Sequence, residues 1–151
     1  MNKQDVIAIY KQKLEDNGKE FNRDYSQLMQ YLLTSSFFDD PASMRFHNNF
    51  PGGLALHVLN FENALTQLLA NLLNGPLGIK ISTGDKFDPF IVAIGHDLNK
   101  VGSYRLNSRN TKINGQWTNL QNYDYGNNRD CFPHAMVSMR RIHNLVPTLL
   151  S

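Results

Sequence analysis

Residues 88–102, DPFIVAIGHDLNKVG, join a helix-start signal, an apolar run and a dense set of ionisable groups. Asp88 is a favoured N-cap, and Pro89 suits the first helical position, where a missing N–H leaves nothing unpaired. Phe90 to Ile94 are apolar without interruption, so the helix they open is expected to be buried, to continue through Val101 and to close at Gly102. Within it, His96, Asp97 and Lys100 place an imidazole, a carboxylate and an ammonium in little more than one turn. Neighbouring helical side chains project about 100° apart, so His96 and Asp97 can reach one ion at the helix end, with Lys100 facing the same pocket. An ionised carboxylate at the edge of an apolar run is costly unless a cation or donors compensate it.

A second phrase poses the same problem. PGGLALH, residues 51–57, leads into LALHVLNFENALTQLLANLL, residues 54–73, which is apolar over more than half its circumference. Such a helix is expected to run through the core, entered at Pro51-Gly52-Gly53 and left at Gly75-Pro76. His57 lies in it between Leu56 and Val58. Two imidazoles on core helices, one beside a carboxylate, are explained economically by a shared ion. A mixed imidazole–carboxylate shell suits a divalent transition metal better than calcium. The plainer alternative is a hydrogen-bonded core histidine beside an Asp97–Lys100 surface ion pair.

Around these phrases the chain reads as helical. QDVIAIYKQKLED, residues 4–16, sets Val6, Ile9, Tyr10 and Leu14 on one face, with Asn17-Gly18 as its stop. A second helix is expected over Asp24–Leu33, a break over Ser35–Pro41, and a loop over Gly78–Lys86 with a short extended piece at Ile79–Ser82. Beyond Gly102 the texture turns to Tyr, Arg, Asn and Thr, and Asn114-Gly115 between TKI and QWT is a hairpin signal. Tyr104–Tyr125 is therefore expected to be a small two-stranded excursion, followed by a helix from Pro133 to Leu145.

A chain of 151 residues, 41% of them hydrophobic, suits one domain. It divides into N-terminal helices (1–44), a metal-site core (45–102), a hairpin and loop (103–130) and a last helix (131–151). Cys131 is the sole cysteine, which excludes an internal disulfide and a thiolate zinc cage. The N-terminal stretch lacks an export signal, and no apolar run approaches the ~18 residues of a membrane span. A cytoplasmic protein with no membrane partner is the expectation. Net charge is +2, but residues 1–99 carry eight Lys/Arg against eleven Asp/Glu, and residues 100–151 seven against two. Such a basic half can draw in a phosphate-bearing ligand. Without a dense basic stripe it argues against tight duplex binding.

FHNNFPGGLALH followed by GHDLNKVGSY resembles the HD superfamily of metal-dependent phosphohydrolases, notably small phage and bacterial members. The resemblance covers roughly residues 45–145 and implies an all-α fold, a helical bundle with a small β-hairpin excursion. It implies His57 as first metal ligand, His96 and Asp97 as the central pair, and His134 as an additional ligand. Lys100 becomes a phosphate or carboxylate partner, with Asp97 and Lys100 carrying the catalysis. His47 becomes a substrate-phosphate contact. The cofactor implied is a divalent ion: Mn, Fe, Co, Ni, Zn or Mg. Arg105 and Arg109 are expected to offset phosphate charge beside Lys100, with Tyr104 or Trp117 near a base.

The expected activity is hydrolysis of a nucleotide or other small phosphate ester, with a cyclic nucleotide or nucleic-acid phosphodiester as second choice. Self-association into a homo-oligomer stays open. One departure stands out, because the family's last acidic ligand lies on a later helix. Here Asp124 and Asp130 are the only acids after Asp97, and neither matches that position. The apolar ending PTLLS is read as a chain cut short; otherwise another residue completes the shell, or the site is degenerate. In the last case the protein is a noncatalytic binding or regulatory relative.

Overall fold

Asn2 opens α1 (Lys3–Phe21) through a reciprocal capping box: its side chain accepts from the Asp5 amide, and Asp5 accepts from the Asn2 amide. The computed structural model describes residues 1–75, 88–126 and 133–147. α1 runs past Asn17-Gly18, the stop expected from sequence. The left-handed residue is Asn22, with φ 51°, and the Gly18 carbonyl accepts from the Asn22 and Arg23 amides. Gly18 serves this closure by its lack of a side chain, since a Cβ there would lie 2.9 Å from the Arg23 carbonyl oxygen.

α2 (Ser26–Thr34) and α3 (Gly53–Asn74) follow, and α4 (Pro89–His96) begins where Asp88 caps the Phe90 and Ile91 amides. A single 3-10 turn, Leu98–Lys100, then leads to β1 (Tyr104–Ile113), β2 (Gln116–Tyr125) and α5 (His134–Leu145). The core gathers Val6, Tyr10 and Leu14 of α1, Leu28 and Leu32 of α2, Leu54 and Val58 of α3, and the apolar run of α4. Tyr10 packs edge-on to Phe37 and Phe38 and tilted against Phe90, with centroids 5.1–5.5 Å apart. Its buried hydroxyl donates to the Ala55 carbonyl at 2.8 Å, which ties α1 to the turn that carries His57.

Two expectations are corrected. The fold is not an all-α helical bundle but mixed α/β, five α-helices with a two-stranded antiparallel sheet among the described residues. The hairpin itself spans the expected residues: β1 and β2 pair at ten positions, from Tyr104↔Tyr125 to Ile113↔Gln116. Asn114 and Gly115 both have positive φ, 49° and 84°, the type I′ geometry whose twist matches paired strands. Long Asn- and Thr-rich strands with polar residues on both faces project from the body without needing a core, and most of their residues are exposed. α3 is the second correction. Only Gly53, Leu54, Ala55 and Val58 are buried, and Leu68 and Leu73 are exposed. The helix enters the core at one end rather than running through it, because only its first turns face α1 and α4. The expected Gly78–Lys86 loop lies outside the described residues.

The hairpin base is tied to the body. Asp40, buried, accepts from the Gly102 amide and the Ser36 hydroxyl, each at 2.7 Å, and the Gly126 amide donates to the Ser103 carbonyl. Burial pushes the Asp40 carboxyl above its usual range, only partly offset by those donors.

The Pro51-Gly52-Gly53 entrance has a steric reason. Gly52 sits at φ 79°, and a Cβ on Gly53 would lie 2.0 Å from the Asn48 carbonyl oxygen. The 43–50 loop thus packs directly on the start of α3. Gly53→Ala is expected to destabilise the protein by about 2 kcal/mol through forced backbone displacement, read as a lowered urea midpoint. A parent-like midpoint would show that the loop yields at no cost.

Candidate metal centre

α4 ends at His96, earlier than the sequence suggested. Asp97 is its C-cap, with φ −116° and ψ 10°, and the Lys100 amide closes the following turn onto the Asp97 carbonyl. The break matters for the site, because Asp97 leaves the helical course and its carboxylate meets groups from three elements, α3, α4 and the 3-10 turn. Its Oδ2 lies 3.2 Å from His57 Nε2 on α3, 3.3 Å from His96 Nε2 and 2.8 Å from Lys100 Nζ. One carboxylate oxygen therefore has three nitrogens around it. His57, His96 and Asp97 each offer a ligand atom, all within 4.8 Å of one another.

The protonation pattern follows from the neighbours. His96 Nδ1 is hydrogen-bonded to the Ala93 carbonyl; a carbonyl has no proton to give, so Nδ1 carries the hydrogen. Nε2 is then the ring nitrogen that faces Asp97. At that separation from a carboxylate oxygen, a proton or a cation has to lie between the two atoms. A ring nitrogen that donates to a backbone carbonyl while the other faces the ion is the usual arrangement of a metal-ligating histidine. Burial pushes the His57 imidazole below its usual value; Asp97 pulls the other way, but Lys100, His47 and His96 add to the lowering. The shift favours the neutral imidazole, the form that is able to ligate a metal ion. Burial alone would push the Asp97 carboxyl up, but hydrogen bonds from His96 and Lys100, reinforced by their charge, hold it down at about 2.

Other groups fix these side chains in place. Phe61, one turn beyond His57 on α3, stacks on the His96 ring at 4.0 Å and 16°. α5 grips the turn after Asp97: Arg141 donates to the Leu98 and Val101 carbonyls, and Ser138 Oγ accepts from the Asn99 amide at 3.0 Å. Ser138 and Asn99 were not singled out from sequence, and neither was Phe61. The i,i+4 spacing of His57 with Phe61 was the available signal. For Asn99 and Ser138 there was none.

No family model, curated protein or solved structure matches this chain.

The remaining candidates divide by position. His47 is exposed on the 43–50 loop, yet its ring centroid lies 4.7 Å from that of His57. His134 stands outside the three-ligand cluster, and its Nδ1 accepts from the Asn99 side-chain amide at 2.6 Å. Arg105 and Arg109 are exposed on β1 and share its face with Asn107, which donates to Asp124. Alternation along a strand puts them on the face opposite Leu106, and Leu106 borders the cavity shared with Met44, Phe50 and Pro51. Trp117 pairs with Lys112 near the hairpin tip and is 74% exposed. Eight strand steps separate Lys112 from Tyr104, about 27 Å at the usual rise, so Trp117 is far from the hairpin base. Asp130 and Cys131 lie outside the described residues. Between α4 and α5 an apolar groove of about 330 Å³ is bordered by Val92, His96, Met139 and Ile142. His96 thus belongs to both the ligand cluster and the groove.

Among the described residues no helix is long and apolar enough to cross a membrane.

Proposed function

We propose that this chain is an HD-type metal-dependent phosphohydrolase acting on a nucleotide or other small phosphate ester. The observation that carries the reading is the convergence of His57 Nε2 and His96 Nε2 on Asp97 Oδ2, with His96 Nδ1 already occupied by the Ala93 carbonyl. That donor set fits a divalent ion such as Mn, Fe, Co, Ni or Zn, with Mg less favoured by imidazole ligands. An ion held there supplies Lewis acidity at a phosphoryl oxygen and acidifies water.

The chain's own residues do the rest. His57, His96 and Asp97 fix the position of the phosphate by fixing the ion. Lys100, beside Asp97, offers its donors to a phosphoryl oxygen and offsets the charge that gathers there during transfer. The organic part of the ester fits the apolar groove beside His96, which supports a base or another flat apolar group better than the distant Trp117 does. Arg105 and Arg109 contribute to the basic field of the second half rather than to a direct clamp.

The test is metal analysis of the purified protein, followed by a screen of nucleoside mono- and triphosphates with added manganese. Failure to retain or rebind any of these ions would remove the enzymatic reading. Lys100→Ala is expected to keep its metal and lose about 100-fold in turnover, the usual effect of deleting one group that stabilises developing charge. Unchanged turnover would take the phosphate role from Lys100.

A second reading draws on the same ion pair. Lys100 already neutralises Asp97, and no fourth acidic or imidazole ligand joins the cluster among the described residues. A noncatalytic protein that keeps the site as a salt-bridge network is the alternative. It predicts phosphate-ester binding without hydrolysis in the same screen.

A further inference from the structure

The two outer edges of the hairpin are unalike. Pairs along an antiparallel ladder alternate between exchanging hydrogen bonds and turning their amides and carbonyls outward. The Gly126 amide donates to the Ser103 carbonyl, so that pair is a bonded one, and in the same register the outward groups of β2 fall at Trp117, Asn119 and Gln121. Those of β1 fall at Leu106, Ser108, Asn110 and Lys112. β1 carries Arg105, Arg109 and Lys112 along its length, whereas residues 116–122 of β2, QWTNLQN, hold no charge, proline or glycine. Charged side chains, prolines and bulges are the usual guards against a further strand adding to an edge, and this stretch of β2 has none of them. We propose that residues 116–122 of β2 pair antiparallel with the same strand of a second copy of this chain, about a two-fold axis at Asn119. The inference goes beyond the phosphohydrolase reading and does not depend on it.

The ribbon has a reason to take a further strand. Its base is tied to the body through Asp40 and Gly102. Farther out, among the described residues, no main-chain hydrogen bond reaches residues 116–122 from outside the hairpin. Trp117 is 74% exposed there, and Ile113 is exposed as well. A two-stranded ribbon without a packed face is marginal in water, and additional strands are what stabilise it.

The position of the axis follows from the ladder and the body. Gln121 and Tyr123 border the cavity shared with Met44, Phe50 and Pro51, so the axis falls at Asn119, the outward-facing residue next beyond them. The Asn119 amide and carbonyl of each copy then bond those of the other, and Trp117 lies opposite Gln121 of the second copy. The combined sheet runs β1-β2-β2-β1. The basic β1 strands become its outer edges, so growth stops at two copies. Two short strand edges and a pair of tryptophans make a small interface, and the dimer dissociates on dilution.

Sedimentation equilibrium of the full chain over a concentration series tests this, with circular dichroism to confirm folding. The parent is expected to rise to twice the monomer mass and no further. Asn119→Lys sets two like charges opposite each other across the axis and should raise the concentration needed for dimerisation at least about tenfold. Asn119→Pro removes the amide that donates across the axis and should act in the same direction. Asn110→Pro, the matching change on β1, should dimerise as the parent does. Amide hydrogen exchange locates the contact: at high concentration the Trp117, Asn119 and Gln121 amides should slow, while those of Leu106 and Ser108 keep the rates of the dilute protein. A parent that stays monomeric at every concentration, or whose mass grows past twice the monomer, overturns the proposal. So does a folded Asn119→Lys that dimerises like the parent, or a dimer in which the β2 amides gain no protection.

Discussion

Asp97→Ala is expected to lose divalent-ion binding by at least about 100-fold and to show no phosphate-ester hydrolysis above background, since a direct ligand matters at least as much as its outer partners. The variant removes the only carboxylate of the cluster and leaves His57, His96 and Lys100 without the oxygen they share. The Lys100 ammonium, no longer neutralised, then opposes any incoming cation. Equilibrium dialysis with zinc or manganese measures the loss, and parent-like binding would show that the ion, if any, is held elsewhere. The same residue gives a pH signature to the metal-free protein. Its carboxyl is depressed from 3.8 to about 2, so the folded state holds the ionised form more tightly than the unfolded chain does. That contribution, roughly 2 kcal/mol, is fully present above pH ~4 and is lost as pH falls towards ~2. Asp97→Asn should therefore flatten the acid limb of the stability curve; an unchanged limb would place the acid sensitivity in other carboxylates.

Asp88→Ala is expected to cost about 4 kcal/mol, as when a buried charge is removed from its partners. Asp88 is 6% exposed. Its Oδ1 accepts from the Phe90 and Ile91 amides and from Asn17, and its Oδ2 accepts from the Tyr25 hydroxyl at 2.9 Å. Burial, followed by the Asp88 charge, pushes the Tyr25 phenol well up, so it remains a donor throughout the working range. Truncation would strip the cap from α4 and leave the buried Tyr25 hydroxyl and the half-buried Asn17 amide without their acceptor. Asp88→Asn keeps most of the cap and should cost about half as much. Urea denaturation measures both, and a loss under about 1 kcal/mol for Asp88→Ala would reduce the residue to an ordinary surface cap.

How much of this was readable beforehand depends on whether the signal was local. Asp88-Pro89 announced α4, and Asn114-Gly115 announced the hairpin turn, because a cap and a type I′ turn are decided by the residues that form them. The HD phrase brought His57, His96, Asp97 and Lys100 into one reading, and the structure brings all four together. The end of α4 was not legible: His96, Asp97 and Lys100 suit a continuing helix equally well, and what stops it is α5 gripping Leu98, Asn99 and Val101. Gly18 looked like a stop but serves a closure four residues later. α3 looked like a core helix throughout, yet apolar periodicity does not say how many turns find a partner. The strands were read over Tyr104–Tyr125, but the fold class was taken from the family resemblance, which is why an all-α fold was expected of a mixed α/β protein.

The crowding at Asp97 Oδ2 has a further consequence for how an ion would arrive. Two ring nitrogens and an ammonium are already drawn to one point, so the loss of side-chain freedom needed to assemble the donors falls on folding rather than on binding. On the metal-centre reading, an incoming divalent ion would meet a preorganised set and have only to take over the place of the Lys100 ammonium at that oxygen. Entry would then be an exchange of one cation for another. The displaced lysine, freed from Asp97, would remain at the rim with its positive charge turned towards whatever anion follows.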